Sequence, residues 1–383
     1  MKEREWTPRI WQGCTLGAWL RLVCRNRLAV SPRLAYIPFV LTHVSVIHSV
    51  LRLVQEAIYG TRPSRTPLAA PPLFIVGHWR TGTTLLHELL ILDPRHTFPD
   101  TYQCLEPNHF LLTETFVKRW MNWMLPSRRP MDNMRAGWDR PQEDEFALCM
   151  MGQPSPYLTI AFPNHPPQDQ NAFDIRDLPP HAQRAWKRAF ARYLSELTFR
   201  DPRRLVLKSP THSCRIPTLL EMFPNAKFVH IIRDPYAVYP STVNLWKRLY
   251  ETHGLQVPRH VGIEEYVLST YPMLYKKLEE GKRLIPPGQF YEIKYEDLIS
   301  RPLERLRELY EALDLGGYEQ AQPHFERYLR ENAGYQTNRF PHLSPAEIAT
   351  LNARWGAIID RYGYARRQAS DTASNLASCN PAC

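Results

Sequence analysis

Several things that would each announce a function are scarce or missing in this chain. Its seven cysteines (Cys14, Cys24, Cys104, Cys149, Cys214, Cys379 and Cys383) are odd in number and widely spaced, and no C-x-x-C occurs. That argues for reduced thiols in a cytoplasmic setting. No cleavable leader is visible, since Met1-Lys-Glu-Arg-Glu-Trp mixes charges and no apolar core follows promptly. A membrane span wants roughly 20 mostly apolar residues. The nearest stretch, residues 34–51, is 18 residues long and contains Pro38, His43, Ser45, His48 and Ser49. A buried or membrane-surface helix is the expectation there. Lys and Arg form no block interleaved with aromatics, so the net charge of +10 points to polyanionic small ligands or an anionic membrane surface before nucleic acid. His87-Glu88-Leu89-Leu90 is followed by Ile91 where a zinc protease needs a second His. A G-x-S-x-G elbow is absent, which removes the simplest hydrolase reading. No internal repeat is apparent.

What is present is a globular composition, 44% hydrophobic and 22% charged over 383 residues, enough for one large α/β domain or two. The most informative stretch is 72–92. An apolar run, Leu73–Val76, is short enough for a buried strand. It breaks at Gly77 and resumes at helical spacing through Leu85, Leu86, Leu89, Leu90 and Leu92. Between them, Gly77-His-Trp-Arg80-Thr81-Gly82-Thr83-Thr84 reads G-x-x-x-x-G-x-T, the frame of a phosphate-cradling loop. The Lys that nucleoside triphosphatases carry after the second Gly is replaced by Thr83, and the loop's cation is Arg80. An early cation and two hydroxyls at the helix start suit a phosphate without a triphosphate tail.

This loop resembles the 5′-phosphosulfate loop of sulfotransferases that use 3′-phosphoadenylyl sulfate (PAPS), and the resemblance extends over about 72–362. It implies that Arg80, Thr81, Gly82, Thr83 and Thr84 hold the 5′-phosphosulfate. It also implies that Lys208, ending the strand Leu205-Val-Leu-Lys, lies near the moving sulfuryl group. Arg233 at the end of strand 227–232, with Ser241 eight residues on, matches the family's 3′-phosphate grip; a guanidinium clamp completed by a hydroxyl suits that ligand. Tyr295, in Tyr-Glu-Asp after strand 289–294, matches the tyrosine beside the adenine, and core packing is its other reading. For the base that takes the acceptor's proton, Glu106, in a Glu-Pro pair like that of Golgi-type carbohydrate enzymes, is the first candidate. His212 is the second, two residues later than the cytosolic enzymes' Lys-Thr-His pattern places its histidine. The bland readings are a helix-start charge for Glu106 and a satisfied loop histidine for His212. The family's Arg-Lys-Gly loop is missing, and Tyr335–Arg339 is a substitute. No metal is needed, because the cations are built in.

The implied fold is α/β: a P-loop-like central parallel sheet flanked by helices, with strands near 73–76, 204–208, 227–232 and 289–294. Residues 1–60 read as helical throughout, an extension that packs on the core or makes peripheral contact with a membrane. Residues 72–362 form the sulfotransferase domain, and 368–383 a disordered tail. Helices are expected at 110–124, 181–198, 215–223, 303–313, 319–331 and 345–362. Residues 155–180 are a Pro-rich ordered loop and candidate flap. Pro141-Gln-Glu143-Asp144-Glu145 opens a helix with Pro near its first position; helix-end electrostatics explains its acids first, a substrate-facing acid second. Neighbouring acids point to different sides of a helix, which makes a paired-carboxylate site poor here. The reaction implied is transfer of a sulfuryl group from PAPS to a hydroxyl or amine on a small-molecule, glycan or lipid acceptor. Trp123, Trp138 and Tyr157 could line its pocket or be core. The competing readings are a P-loop nucleotide kinase or NTPase, and a non-catalytic nucleotide-binding, membrane-associated module.

Overall fold

A computed structural model describes residues 9–120, 137–332 and 343–368. Trp123, Tyr335–Arg339 and the tail from 369 onward lie outside these residues. Five strands, β1 (Leu73–Val76), β2 (His96–Thr97), β3 (Arg204–Lys208), β4 (Lys227–Ile232) and β5 (Phe290–Lys294), form one sheet in the order β2-β3-β1-β4-β5. Every pairing is parallel, with Ile75 opposite both Lys208 and Val229. β2 was not foreseen, because two residues are too few to show a period.

Alternation along β1 sends Phe74 and Val76 to one face and Leu73 and Ile75 to the other. The first pair joins a core with Trp186, Phe190, Phe228 and Trp355; the second meets Leu86, Leu89, Val229 and Leu309. Helices cover both faces, so the strands carry continuous apolar runs. β1 is central, and the chain leaves it toward β2 and β3 on one side and β4 and β5 on the other. The crevice at its C-terminal end is the place where such sheets bind ligands.

The N-terminal region is not helical throughout. A 3-10 turn, Ile10–Gly13, precedes the helices Leu16–Arg25 and Tyr36–Tyr59, and the chain breaks between them where Arg27 and Leu28 take positive φ. The region is fastened to the rest by Trp11 Nε1, which donates to the His253 carbonyl at 2.7 Å. The helix Tyr36–Tyr59 has inverted polarity. Its buried stripe includes Ser45, His48 and Gln55 beside Ile37 and Leu41. Phe39 (68% exposed), Ile47, Val50, Leu53 (64%) and Ile58 face outward. Among the described residues this is the one helix long and apolar enough to cross a membrane.

The remaining helices fall close to expectation, including Pro180–Arg200, Ile216–Met222, Pro302–Ala312, Tyr318–Glu331 and Pro345–Arg361. The acidic helix departs from it. It runs Asp144–Met150 with Glu143 as its N-cap, so Pro141 lies ahead of it, outside the first position. Residues 155–180 are ordered as short 3-10 turns, Pro156–Ile160, Gln170–Phe173 and Ile175–Asp177.

Candidate active site

Between β1 and the helix Thr83–Leu90 the backbone makes a tight anion cradle. Gly77 (φ 149°) and Gly82 (φ 100°) adopt conformations that disfavour a side chain. A Cβ on Gly77 would lie 2.6 Å from the Ile231 carbonyl oxygen, and one on Gly82 would lie 2.4 Å from the Tyr295 ring. Arg80 also sits at positive φ, 68°, a strained conformation of the kind that persists at ligand sites. The helix N-terminus adds its partial positive charge. Thr83 is buried, and Thr81 Oγ1 is turned back onto the His78 carbonyl at 2.8 Å, so Thr81 shapes the loop.

Strand order then gathers the other cations. The Arg80 side chain donates through Nε to Ser241 Oγ at 2.9 Å, and the Arg233 guanidinium lies 3.4 Å from the Arg80 carbonyl. Arg233 stacks over the Tyr295 ring, 4.4 Å from its centroid. Arg80, Gly82, Arg233, Ser241 and Tyr295 thus form one constellation, supplied by the ends of β1, β4 and β5.

Lys208 closes the other side, and its partner is Glu143. The Nζ–Oε1 distance is 2.7 Å, and both side chains are largely buried. The Tyr157 hydroxyl donates to Glu143 Oε2 at 2.5 Å and accepts from Trp79 Nε1 at 2.8 Å. Burial, and then the Glu143 carboxylate, push the Tyr157 phenol far above its usual range, so it stays a donor. Trp79 belongs to the phosphate loop, so a chain of contacts runs from that loop through Tyr157 and Glu143 to Lys208.

The next two acids have separate partners. Asp144 takes His212 Nε2 at 2.6 Å and the Ser209 hydroxyl at 3.0 Å. Burial pushes the Asp144 carboxyl up, and His212 and Ser209 more than offset it, holding it below its ordinary value. His212 is fully buried beside Phe74, out of reach of an acceptor. Glu145 forms a fully buried ion pair with Arg215, reinforced by Thr211 at 2.9 Å and by Ser155.

Glu106 does not join this constellation. Its Oε2 lies 2.9 Å from His48 Nδ1 and 3.2 Å from His109 Nε2. Asp100 bridges to Pro141 ahead of the helix Asp144–Met150, whereas Asn108 bonds the Met150 carbonyl at its other end. Seven helical residues span about 10 Å, so Glu106 is set back toward the far end from Glu143. The sequence reading took Glu143 first as a helix-end charge and second as a substrate-facing acid; Asp144 and Glu145, equally acidic, gave no reason to single it out. Trp138 and Tyr157 are buried.

A model of the sulfotransferase family matches residues 71–320. The chain belongs to that family. As a sulfotransferase it is 50% identical over 363 residues, 95% of this chain and 93% of the relative, to omega-hydroxy-beta-dihydromenaquinone-9 sulfotransferase Stf3 of Mycobacterium bovis and of Mycobacterium tuberculosis. Its fold is similar to that of sulfotransferase STF9 from Mycobacterium avium, with a TM-score of 0.62 and 20% identity over 95% of this chain and 94% of that one. STF1 of Mycobacterium tuberculosis H37Rv gives 0.58 and 17% over 91% and 90%. The sulfotransferase assignment sets aside the kinase and non-catalytic readings: the enzyme transfers a sulfuryl group.

Proposed function

We propose that the enzyme takes its sulfuryl group from PAPS and delivers it to the hydroxyl of a hydroxylated quinone lipid at the membrane surface. The observation that carries the donor assignment is the meeting of Arg80, Arg233, Ser241 and Tyr295 at one crevice. Two guanidiniums, loop amides and a hydroxyl fit a ligand with phosphates at both ends of an adenosine. Arg80, Gly82, Thr83 and Thr84 hold the 5′ end, Arg233 and Ser241 the 3′-phosphate, and Tyr295 the adenine. Bound there, the donor supplies the group that moves. Lys208 neutralises charge at the leaving oxygen, and Glu143 Oε1, once Lys208 turns away from it, accepts the acceptor's proton. Tyr157 holds Glu143 Oε2 and fixes its direction. The transfer requires no metal, because positioning and fixed charge carry it.

The lipid acceptor rests on the curated relatives together with the inverted helix Tyr36–Tyr59. Its exposed apolar row is that of a helix lying in a bilayer interface, while its polar stripe grips the domain. Residues 1–60 then act as a membrane-contacting extension of a cytoplasmic enzyme whose domain spans 72–362. The test is transfer from labelled PAPS to a hydroxylated dihydromenaquinone in vesicles, with ATP plus Mg²⁺ in competition. Labelled lipid, unaffected by ATP, is expected. Transfer to water-soluble sugars or phenols alone would overturn the acceptor.

A further inference from the structure

We propose that His48, Glu106 and His109 form a binding site for a divalent transition metal, zinc by its ligand chemistry, that clips the helix Tyr36–Tyr59 to the sulfotransferase domain. Among the described residues, one group of His, Cys, Asp and Glu brings three donor atoms together, all within 4.8 Å of one another, and it is this one. His48 Nδ1 and His109 Nε2 lie 2.9 and 3.2 Å from the same carboxylate oxygen, Glu106 Oε2. The two ring nitrogens also face each other in contact.

Protons satisfy that arrangement poorly. Each imidazole nitrogen carries at most one hydrogen, which points along a single direction in the ring plane. With both nitrogens protonated the two N–H groups reach the carboxylate but crowd each other where the rings meet, and with one deprotonated its lone pair opposes that of the carboxylate oxygen. A cation at the centre satisfies all three at once. Tetrahedral ligands about 2.0–2.1 Å from zinc stand roughly 3.3 Å apart, close to the two separations involving Glu106.

The surroundings are those of a ligand set. His109 Nδ1 lies 2.9 Å from Thr113 Oγ1, which contacts the Tyr102 hydroxyl at 2.7 Å; such an outer hydrogen bond orients a ligating ring. Glu106 Oε2 is buried and has no well-formed hydrogen bond. The His48 and Glu106 side chains keep 11% and 15% of their surface, leaving a way in and a fourth position for water. Cys14 is not a ligand, since its thiol is turned to the Met150 sulfur at 3.6 Å. Two imidazoles and one carboxylate suit zinc. His48 comes from the N-terminal helix, whereas Glu106 and His109 lie on the domain between the helices Thr101–Leu105 and Phe110–Trp120. A metal here holds the two together and stands apart from the transfer site, so it does not depend on the reading of that site.

The experiment is metal analysis of the full-length, tag-free protein purified without chelator, followed by Co²⁺ titration of EDTA-treated protein monitored by visible absorption. One equivalent of metal, or one equivalent of Co²⁺ taken up with a tetrahedral spectrum and displaced by Zn²⁺, is expected. EDTA should lower Tm by several degrees, and Zn²⁺ should restore it. Glu106→Gln and His109→Gln should lose the metal, whereas Glu143→Gln should retain it. Wild-type protein that neither carries nor takes up metal would overturn the proposal, whatever the variants do. So would Glu106→Gln abolishing transfer with full metal content.

Discussion

Lys208 and Glu143 are joined across 2.7 Å, the lysine at the end of β3 and the glutamate at the N-cap position of the helix Asp144–Met150. The Tyr157 hydroxyl holds the other carboxylate oxygen. If this carboxylate is the base, Glu143→Gln should lower kcat by about 10²–10⁴-fold with donor affinity nearly unchanged. Pre-steady-state transfer rates and calorimetry read the two quantities separately. A loss seen in KM alone would assign Glu143 to acceptor binding instead.

Removing one guanidinium from the proposed double anion grip should forfeit a charge-assisted contact of about 1.5–3 kcal/mol. Arg233→Ala should therefore weaken adenosine 3′,5′-bisphosphate binding by roughly 10–150-fold in calorimetry without Mg²⁺. Wild-type protein should bind ATP far more weakly than the bisphosphate. Equal affinity for the two nucleotides would remove the basis for the donor assignment.

His78 lies inside the phosphate loop, packed against Tyr271, with Nδ1 3.0 Å from the Trp79 carbonyl. Burial lowers its pKa from 6.5 to about 3, partly opposed by that carbonyl. A depressed folded-state value means the unfolded chain binds the proton first as the medium acidifies. Its stabilising share is intact above pH 6.5 and is lost as pH falls toward about 3. Chemical denaturation across that window should show a slope that His78→Asn flattens. An unchanged slope would mean that the ring is charged in the folded protein or that it contributes nothing.

Phe39, Ile47 and Leu53 are exposed on one face of the helix Tyr36–Tyr59. Replacing all three with Asp should abolish co-sedimentation with anionic vesicles and raise the KM for a lipid acceptor, with little change in Tm. A variant that still sediments would dissociate this helix from membrane contact.

The Glu145–Arg215 pair is fully buried. Arg215→Met leaves an unpaired carboxylate and should cost about 3–5 kcal/mol in urea unfolding. Glu145→Gln in the same background should recover part of that loss.

Much of this architecture could be read from local signals. Leu73–Val76, Lys227–Ile232 and their following glycine or arginine carried strand and turn information within a few residues. The convergence of Arg80 with Ser241 followed from two motifs, each of fixed spacing. Glu143 was harder to see. Its neighbours Asp144 and Glu145 are equally acidic, and only the fold sends one to Lys208, one to His212 and one to Arg215. Glu106 carried a motif that drew attention to it, yet its surroundings depend on His48, contributed from far upstream by a helix the motifs do not reach. The break at Arg27–Leu28 was likewise hidden, because the apolar pattern continues on both sides of it.

The Tyr295 ring is wedged between Gly82, where a methyl group would collide with it, and the face of Arg233. One aromatic thickness thereby sets the gap between Gly82 of the phosphate loop and the Arg233 guanidinium. In the proposed donor complex that spacing keeps the guanidinium clear of the Gly82 end of the cradle, where it can meet a phosphate. Substituting a smaller side chain for Tyr295 would let that gap close.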